Sequence, residues 1–283
     1  MLSRLLGVEM VVDVAPGVQV WAEEIPGPGE PVLLVMGADA AGLTWPDELV
    51  DRLAERHRVI RYDHRDTGRS THAFDEAPYA IRDLAADAVA VLDAFAIDRA
   101  HVVGMSLGGT LVQLLLVDHP DRLWSATVFC TASLQGDPDL PGPDPALLRL
   151  WGELTDERDR EQELDWRVEH WRLLNGAGVE FDEAWFRELE ERIMEHSGRE
   201  DKPAAHAAAA QDGLERDLTE NTVPTLVIEA PEDPVCPPPH AAHLASTIKG
   251  ATLVRIEGMG HAIPPALATP LAEAILAHTA AVG

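Results

Sequence analysis

Short, unbroken apolar runs between longer helical patterns constrain the fold of this chain more than any other feature. The segment Pro31–Met36 contains four consecutive aliphatic side chains. A run this short fits a β-strand buried on both faces, as in a parallel sheet. From Ile81 to Phe95, in contrast, the apolar residues recur at helical spacing on one face. Because the two patterns alternate, the sequence predicts an α/β fold, with a mainly parallel twisted sheet and helices on both faces.

The remaining elements follow from the same two patterns. A hairpin is predicted over Met10–Val14 and Val18–Trp21, with its turn at Pro16-Gly17. The other strand predictions are His57–Tyr62, Ala100–Met105, Leu123–Cys130, Val223–Ala230 and Ala251–Ile256. The other helix predictions are Trp45–Glu55, Leu107–Asp118 and Pro270–Thr279. After the hairpin, strands and helices therefore alternate as in a parallel sheet, with one interruption.

The interruption comes in the middle of the chain. Residues 136–145 are rich in Pro, Gly and Asp, which indicates a loop or hinge. Residues 146–197 show helical patterns and no strand signal. The sequence therefore predicts one α/β core, residues 1–134 and 221–283, with an inserted helical cap, residues 135–220.

The acidic composition limits the partners of the chain. A formal net charge of −27 and a pI near 4.6 disfavour nucleic acids and anionic lipid headgroups. Two cysteines do not make a disulfide framework. The segment Met1–Glu9 is too short and polar for a signal peptide, and no apolar stretch approaches the roughly 20 residues that span a bilayer. We expect a cytoplasmic protein with no membrane or nucleic-acid partner; whether it forms a homodimer stays open.

The strongest local signal is a G-x-S-x-G motif formed by Gly104, Met105, Ser106, Leu107 and Gly108. It lies between a predicted strand and a predicted helix, the context of a nucleophile elbow. Side chains at the two glycine positions of so tight a turn would collide with neighbouring backbone. The dipole of the following helix favours developing negative charge at its N-terminus. Ser106 is therefore the predicted nucleophile, and Gly104 and Gly108 form the elbow.

A serine hydroxyl needs a base, and after this motif the acid and then the histidine follow in chain order. His261 comes directly after the last predicted strand, within a glycine-flanked loop, and is the predicted base. The other histidines in the last third of the chain are His240, His243 and His278, and their positions fit a base less well. Asp233 follows the preceding strand and is the predicted acid, with the adjacent Glu232 as the alternative. Its role would be to accept the Nδ1–H of His261 and fix the tautomer of the ring.

Backbone N–H groups are the expected donors to the oxyanion. One comes from Leu107, the residue after the nucleophile. The other is expected from the loop after the strand that ends at Met36, where Ala38 is the preferred donor and Gly37 gives the turn its freedom. No metal or cofactor is required for this chemistry, and none is expected.

The cap is rich in large aromatic side chains, which suggests a substrate pocket. Trp151, Trp171 and Trp185 are its candidate wall residues, while Met105 and Met259 flank catalytic positions and are candidates for wall or core. For any single tryptophan, simple packing of cap against core is the plainer interpretation. Together, however, they could enclose a bulky, planar, apolar substrate.

The sequence also resembles the aclacinomycin methylesterases, a family of anthracycline methyl esterases with the α/β-hydrolase fold. The matching segments are Leu34–Gly37, Ile60–Ser70, Leu84–Asp93, Arg99–Gly104, Val223–Ile228, Asp233–Pro234 and Gly258–Ala262. The resemblance implies a helical cap and esterase activity on a methyl ester of a polycyclic polyketide. The functional positions of the family fall on Ser106, Asp233, His261, Ala38 and Leu107.

We therefore expect a carboxylic ester hydrolase that acts on a small-molecule ester through an acyl-enzyme. The alternatives with the same triad are a lactonase, a carbon–carbon bond hydrolase and a cofactor-free perhydrolase. The non-enzymatic alternative is a ligand-binding protein on a hydrolase scaffold.

Overall fold

The computed structural model describes residues 7–200 and 204–282, and an eight-stranded sheet runs through their centre. The strands are β1 Val8–Ala15, β2 Val18–Ile25, β3 Pro31–Val35, β4 Arg58–Tyr62, β5 Ala100–Met105, β6 Leu123–Phe129, β7 Thr225–Glu229 and β8 Thr252–Arg255. Their order is β1-β2-β4-β3-β5-β6-β7-β8, with β2 antiparallel to both neighbours and every other pair parallel. The predicted α/β fold is confirmed, and so is the N-terminal hairpin.

Helices cover both faces of this sheet. They are α1 Asp47–Ala54, α2 Ile81–Ala94, α3 Leu107–Asp118, α4 Pro145–Trp151, α5 Arg160–Asn175, α6 Glu183–Ser197, α7 Ala205–Ala208, α8 His240–Thr247 and α9 Pro265–Ala280. Successive residues of β3 point to opposite faces, so Leu33 joins the core beneath α2, α3 and α8, whereas Leu34 joins the core beneath α1 and α9. Burial on both sides explains the unbroken apolar run of this strand.

The last helix begins earlier than its sequence pattern predicts. It starts at Pro265 rather than at Pro270, which lies inside the helix. Proline is well tolerated in a first helical turn because the N–H groups there have no intrahelical acceptor. Pro270 does remove one helical hydrogen bond. Burial of Leu267, Leu271 and Ile275 against the sheet offsets that loss.

The helices α4, α5 and α6 form the body of the insertion between β6 and β7, and they have an apolar cluster of their own around Trp171 and Phe186. Ala209 and Leu218, later in the insertion, pack into the main core instead. The division into a core and a cap at 135–220 stays a prediction, and its residues 1–6, 201–203 and 283 lie outside the described chain. In the described parts, no helix combines the length and hydropathy that crossing a bilayer requires.

Candidate active site

Ser106 occupies a strained turn between β5 and α3. Its φ of 55° and ψ of −121° lie in a region that residues with a side chain rarely adopt. The two neighbouring glycines make the turn sterically feasible. A Cβ on Gly104 would lie 2.3 Å from the carbonyl oxygen of Gly108, and a Cβ on Gly108 would lie 2.0 Å from that of Val35. The turn leaves the Ser106 side chain half-buried at the floor of a cavity.

Asp233 and His261 meet beside that cavity, although 28 residues separate them along the chain. Nδ1 of His261 lies 2.8 Å from Oδ1 of Asp233, and both side chains are buried. The alternative acid, Glu232, is exposed, and His240 and His278 bond instead to the carbonyl oxygens of Pro141 and Pro224. The structure thus brings together the preferred acid and the preferred base.

Asp233 is held as an anion by several donors. Its Oδ1 also accepts the backbone N–H groups of Val235 at 2.8 Å and Cys236 at 3.0 Å. Burial raises the pKa of the Asp233 carboxyl, but His261 and the two backbone N–H groups more than compensate, so this pKa lies below its ordinary value. An ionised acceptor at Nδ1 requires the Nδ1–H tautomer of His261, which leaves Nε2 free to act as a base.

Ser106 and His261 line the same cavity. Within the described chain, the Ser106 hydroxyl makes no hydrogen bond to the His261 ring. Hydrogen bonds of this kind are often long without substrate and shorten only in the reactive complex. The arrangement therefore joins Asp233 to His261 and places Ser106 at the wall of the same cavity.

The loop of residues 36–39, called the oxyanion loop after its predicted role, packs directly against Ser106. A Cβ placed on Gly37 would lie 3.2 Å from Cβ of Ser106. Ala38 and Leu107 both line the cavity. Among the described residues, neither of their N–H groups donates a hydrogen bond, so both can donate to a ligand oxygen.

A cavity of about 490 Å³ opens above these groups and is walled mainly by apolar side chains. Met105 contributes from the core, and Trp151 and Trp171 contribute from the cap. Two predicted wall residues do not line it. Trp185 packs edge-to-face on Phe186 at a ring distance of 4.9 Å, and Met259 is fully buried among the core side chains beneath α1 and α9.

Two residues near this site carried no recognisable signal in the sequence. Cys130, at the end of β6, has its Sγ within 4.8 Å of ligating atoms of both Asp233 and His261. Burial, followed by the nearby Asp233 carboxylate, raises the pKa of this thiol well above its ordinary value, so it stays protonated. These three residues could chelate a metal ion, but two of them already bind each other. The second residue is His206, which lines the cavity and contacts the oxyanion loop.

Comparison with known families agrees with this architecture. The family model of the alpha/beta hydrolase fold matches residues 30–264. The chain belongs to the α/β-hydrolase family. The matched range begins just before β3 and includes Ser106, Asp233 and His261.

Two relatives in the α/β-hydrolase family are similar to this chain over almost its whole length. The rhodomycin D methylesterases DauP of Streptomyces sp. (strain C5) and DnrP of Streptomyces peucetius are each 46% identical to it, over 93% of this chain and 96% of the relative. The predicted resemblance to methylesterases is thus confirmed, and the relatives and the fold support an ester hydrolase. An esterase from Exiguobacterium antarcticum, 19% identical, superposes with a TM-score of 0.76 over 96% of this chain and all of that chain, which shows the common fold.

In this α/β-hydrolase the insertion contacts the loop that carries His261 directly. The backbone N–H of His261 donates to the carbonyl of Leu174 over 2.7 Å, in the last turn of α5. This bond therefore fixes the backbone of His261 against the end of α5.

Proposed function

We propose that this protein is a serine carboxylic ester hydrolase with Ser106 as nucleophile, His261 as base and Asp233 as the group that orients the base. One observation carries the proposal, namely the 2.8 Å contact between Asp233 and His261 beside the cavity that Ser106 lines. The strained backbone of Ser106 supports it, because such strain persists mainly where function requires it.

The reaction proceeds in two steps. His261 removes the proton of Ser106 as the hydroxyl oxygen attacks the ester carbonyl, and the N–H groups of Ala38 and Leu107 stabilise the oxyanion. His261 then protonates the departing alcohol, which leaves an acyl-enzyme. Water, activated by the same imidazole, hydrolyses that intermediate and restores the serine. The negative charge of Asp233 stabilises the imidazolium in both steps.

The substrate is a methyl ester, or another ester, of a bulky apolar molecule of polyketide type. The volume of about 490 Å³ suits a multi-ring ligand, and the indoles of Trp151 and Trp171 offer flat apolar surfaces to it. The names of the two relatives, rhodomycin D methylesterases, point the same way.

Substitution of the nucleophile tests the mechanism. Ser106→Ala should reduce kcat for p-nitrophenyl butyrate by at least about 10⁴-fold, because no other hydroxyl can form the acyl-enzyme. Circular dichroism should show an unchanged fold. Ser246→Ala, which removes an exposed serine on α8, is the matched control and should keep kcat within about twofold of the wild type. Substantial turnover by Ser106→Ala would refute the assignment.

Two further measurements separate the alternatives. A fluorophosphonate should label the wild type at Ser106 and leave Ser106→Ala unlabelled, whereas a mere binding protein would not react. A hydrolysis panel should then favour polycyclic methyl esters over lactones and carbon–carbon substrates. A panel in which simple and polycyclic esters are both poor would point to one of those other reactions.

A further inference from the structure

Two imidazole rings hold the oxyanion loop by the backbone groups at its ends. Nε2 of His64 donates to the carbonyl of Met36 over 2.9 Å. Nδ1 of His206 accepts the N–H of Asp39 over 2.8 Å. Ala38, whose N–H we assign to the oxyanion, lies between these two points.

The hydrogen bonds of His206 define its tautomer. Nε2 lies 3.0 Å from the carbonyl oxygen of Arg65, which can only accept, so Nε2 carries the proton. Nδ1 is then a lone-pair acceptor, as the bond from the Asp39 N–H requires. The ring is 3% exposed, and burial lowers the pKa of His206 to about 4, so the ring is neutral at neutral pH.

Asp39 is a residue that needs such support. Its φ is 54°, in the left-handed region that residues other than glycine rarely adopt. A backbone in this conformation persists only where surrounding contacts hold it. His206 provides two contacts, because its own backbone N–H also donates to Oδ1 of Asp39 over 3.1 Å. These two hydrogen bonds hold the peptide group that follows the Ala38 N–H.

We propose that His206 is a positioning residue for catalysis: by holding the Asp39 N–H, it aims the N–H of Ala38 at the oxyanion. His206 lies in α7, which follows the helices of the insertion, 167 residues from Asp39. This segment thereby becomes part of the catalytic apparatus without touching the reacting atoms. The inference rests on the proposed function, since it presupposes an oxyanion bound by this loop.

A matched pair of substitutions separates the two nitrogens of the ring. The amide oxygen of His206→Asn takes the place of Nδ1 and keeps an acceptor for the Asp39 N–H. His206→Gln places its amide near Nε2, keeps the bond to Arg65 and leaves the Asp39 N–H without an acceptor. We expect H206Q to lose about tenfold or more in kcat for p-nitrophenyl butyrate, because an unmet buried donor shifts the loop. H206N should stay within about threefold.

The effect should appear where charge develops on the carbonyl oxygen. A trifluoromethyl ketone adds to the Ser106 oxygen, and its carbonyl oxygen then becomes an oxyanion. Its affinity should fall in H206Q in parallel with kcat, whereas KM should change by less than about twofold. Thermal melting reports the stability of both variants. Equal losses in H206N and H206Q, or full kcat in H206Q, would overturn the proposal.

A measurement on the wild type keeps the proposal testable if H206Q does not fold. The ¹⁵N-histidine NMR spectrum, with His206 assigned by its absence in H206N, should show a neutral ring with the proton on Nε2 at pH 7. A charged ring or the opposite tautomer would contradict the proposed hydrogen bond from the Asp39 N–H to Nδ1 of His206. Failure of this inference is distinct from failure of the proposed function, which would show as turnover by Ser106→Ala.

Discussion

At the residue scale, the proposed chemistry depends on a single carboxylate oxygen, Oδ1 of Asp233. Oδ1 of Asp233 receives the His261 ring and the N–H groups of Val235 and Cys236, whereas Oδ2 is buried with no hydrogen-bond partner among the described residues. The two backbone bonds fix the direction in which Oδ1 points. The local backbone therefore fixes the carboxylate oxygen that contacts the His261 ring.

Removing only the charge of that carboxylate should disable the base. In Asp233→Asn the N–H groups of Val235 and Cys236 keep the amide oxygen beside Nδ1 of His261, but this neutral oxygen no longer stabilises the imidazolium that forms when His261 takes the Ser106 proton. We expect kcat for p-nitrophenyl butyrate to fall roughly 10³–10⁴-fold. Glu232→Gln, at the exposed neighbouring position, should stay within about twofold of the wild type. Similar losses in both variants would show that the charge acts in some other way.

Residues of the candidate site that carry a local sequence signal could be proposed from the sequence, whereas their neighbours without such a signal could not. Ser106 lies in a motif whose two glycines meet a steric demand, and His261 lies in the glycine-containing loop that follows β8. His206 carries no motif, because its partner Asp39 is 167 residues away and the contact exists only once the insertion is folded. Cys130 likewise ends an apolar strand and carries no pattern beyond burial.

At the scale of elements, buried ion pairs connect the helices α5 and α6 of the insertion. Arg167 on α5 binds Glu163 of the same helix at 2.7 Å and Glu190 of α6 at 3.2 Å, and all three are nearly inaccessible. Oε1 of Glu190 accepts the indole N–H of Trp171 at 2.6 Å. Charged residues usually lie on a solvated surface, but these three are buried and joined through ion pairs. The network fixes the orientation of Trp171 at the cavity wall.

Two tryptophans of the insertion offer a matched test of the substrate pocket. Trp171 lines the cavity, whereas Trp185 packs on Phe186 away from it. Trp171→Ala should raise KM for a polycyclic methyl ester about tenfold but change KM for p-nitrophenyl acetate less than about twofold, because only the larger ester reaches the indole. Trp185→Ala should lower the melting temperature and leave the ratio of the two KM values unchanged. An unchanged ratio in Trp171→Ala as well would assign both side chains to packing alone.

Strands and helices of the core were predictable because burial leaves a periodic record in the sequence. The apolar run of β3 and the helical stripe of α2 match the elements closely. The contact between α5 and the His261 loop left no such record, since it joins the backbone N–H of His261 to the backbone carbonyl of Leu174. Backbone-to-backbone contacts of this kind constrain side-chain identity very little.

At the scale of the whole molecule, the two ends of β5 have different roles. Ser106 follows its C-terminal end, where the loops of a parallel sheet gather to form a site. His101 lies near its N-terminal end, where its ring contacts His57 at a centroid distance of 5.4 Å and its Nδ1 bonds to Ser125 at 2.8 Å. This edge of the sheet lies away from the candidate site, and its buried residue His101 couples folding stability to pH.

The sign of that coupling follows from the pKa of His101. Burial, followed by the proximity of His57 and His278, lowers the pKa of His101 to about 4, whereas an unfolded chain has the ordinary value of 6.5. Between these two values the unfolded chain binds a proton that the folded protein does not, so stability is lost as pH falls. The loss approaches about 1.4 kcal/mol per pH unit for one such group.

A single substitution isolates this contribution from the rest of the acidic molecule. His101→Asn keeps an acceptor toward Ser125 but does not titrate. Urea unfolding of both proteins at pH 7 and pH 4.5 should show a smaller loss of unfolding free energy in the variant, because the wild type alone must protonate His101 on unfolding. The carboxylates and the remaining histidines are common to the two proteins, so their contributions cancel when the two losses of unfolding free energy are subtracted. Parallel stability curves over this pH range would show that His101 takes up its proton equally well in the folded state.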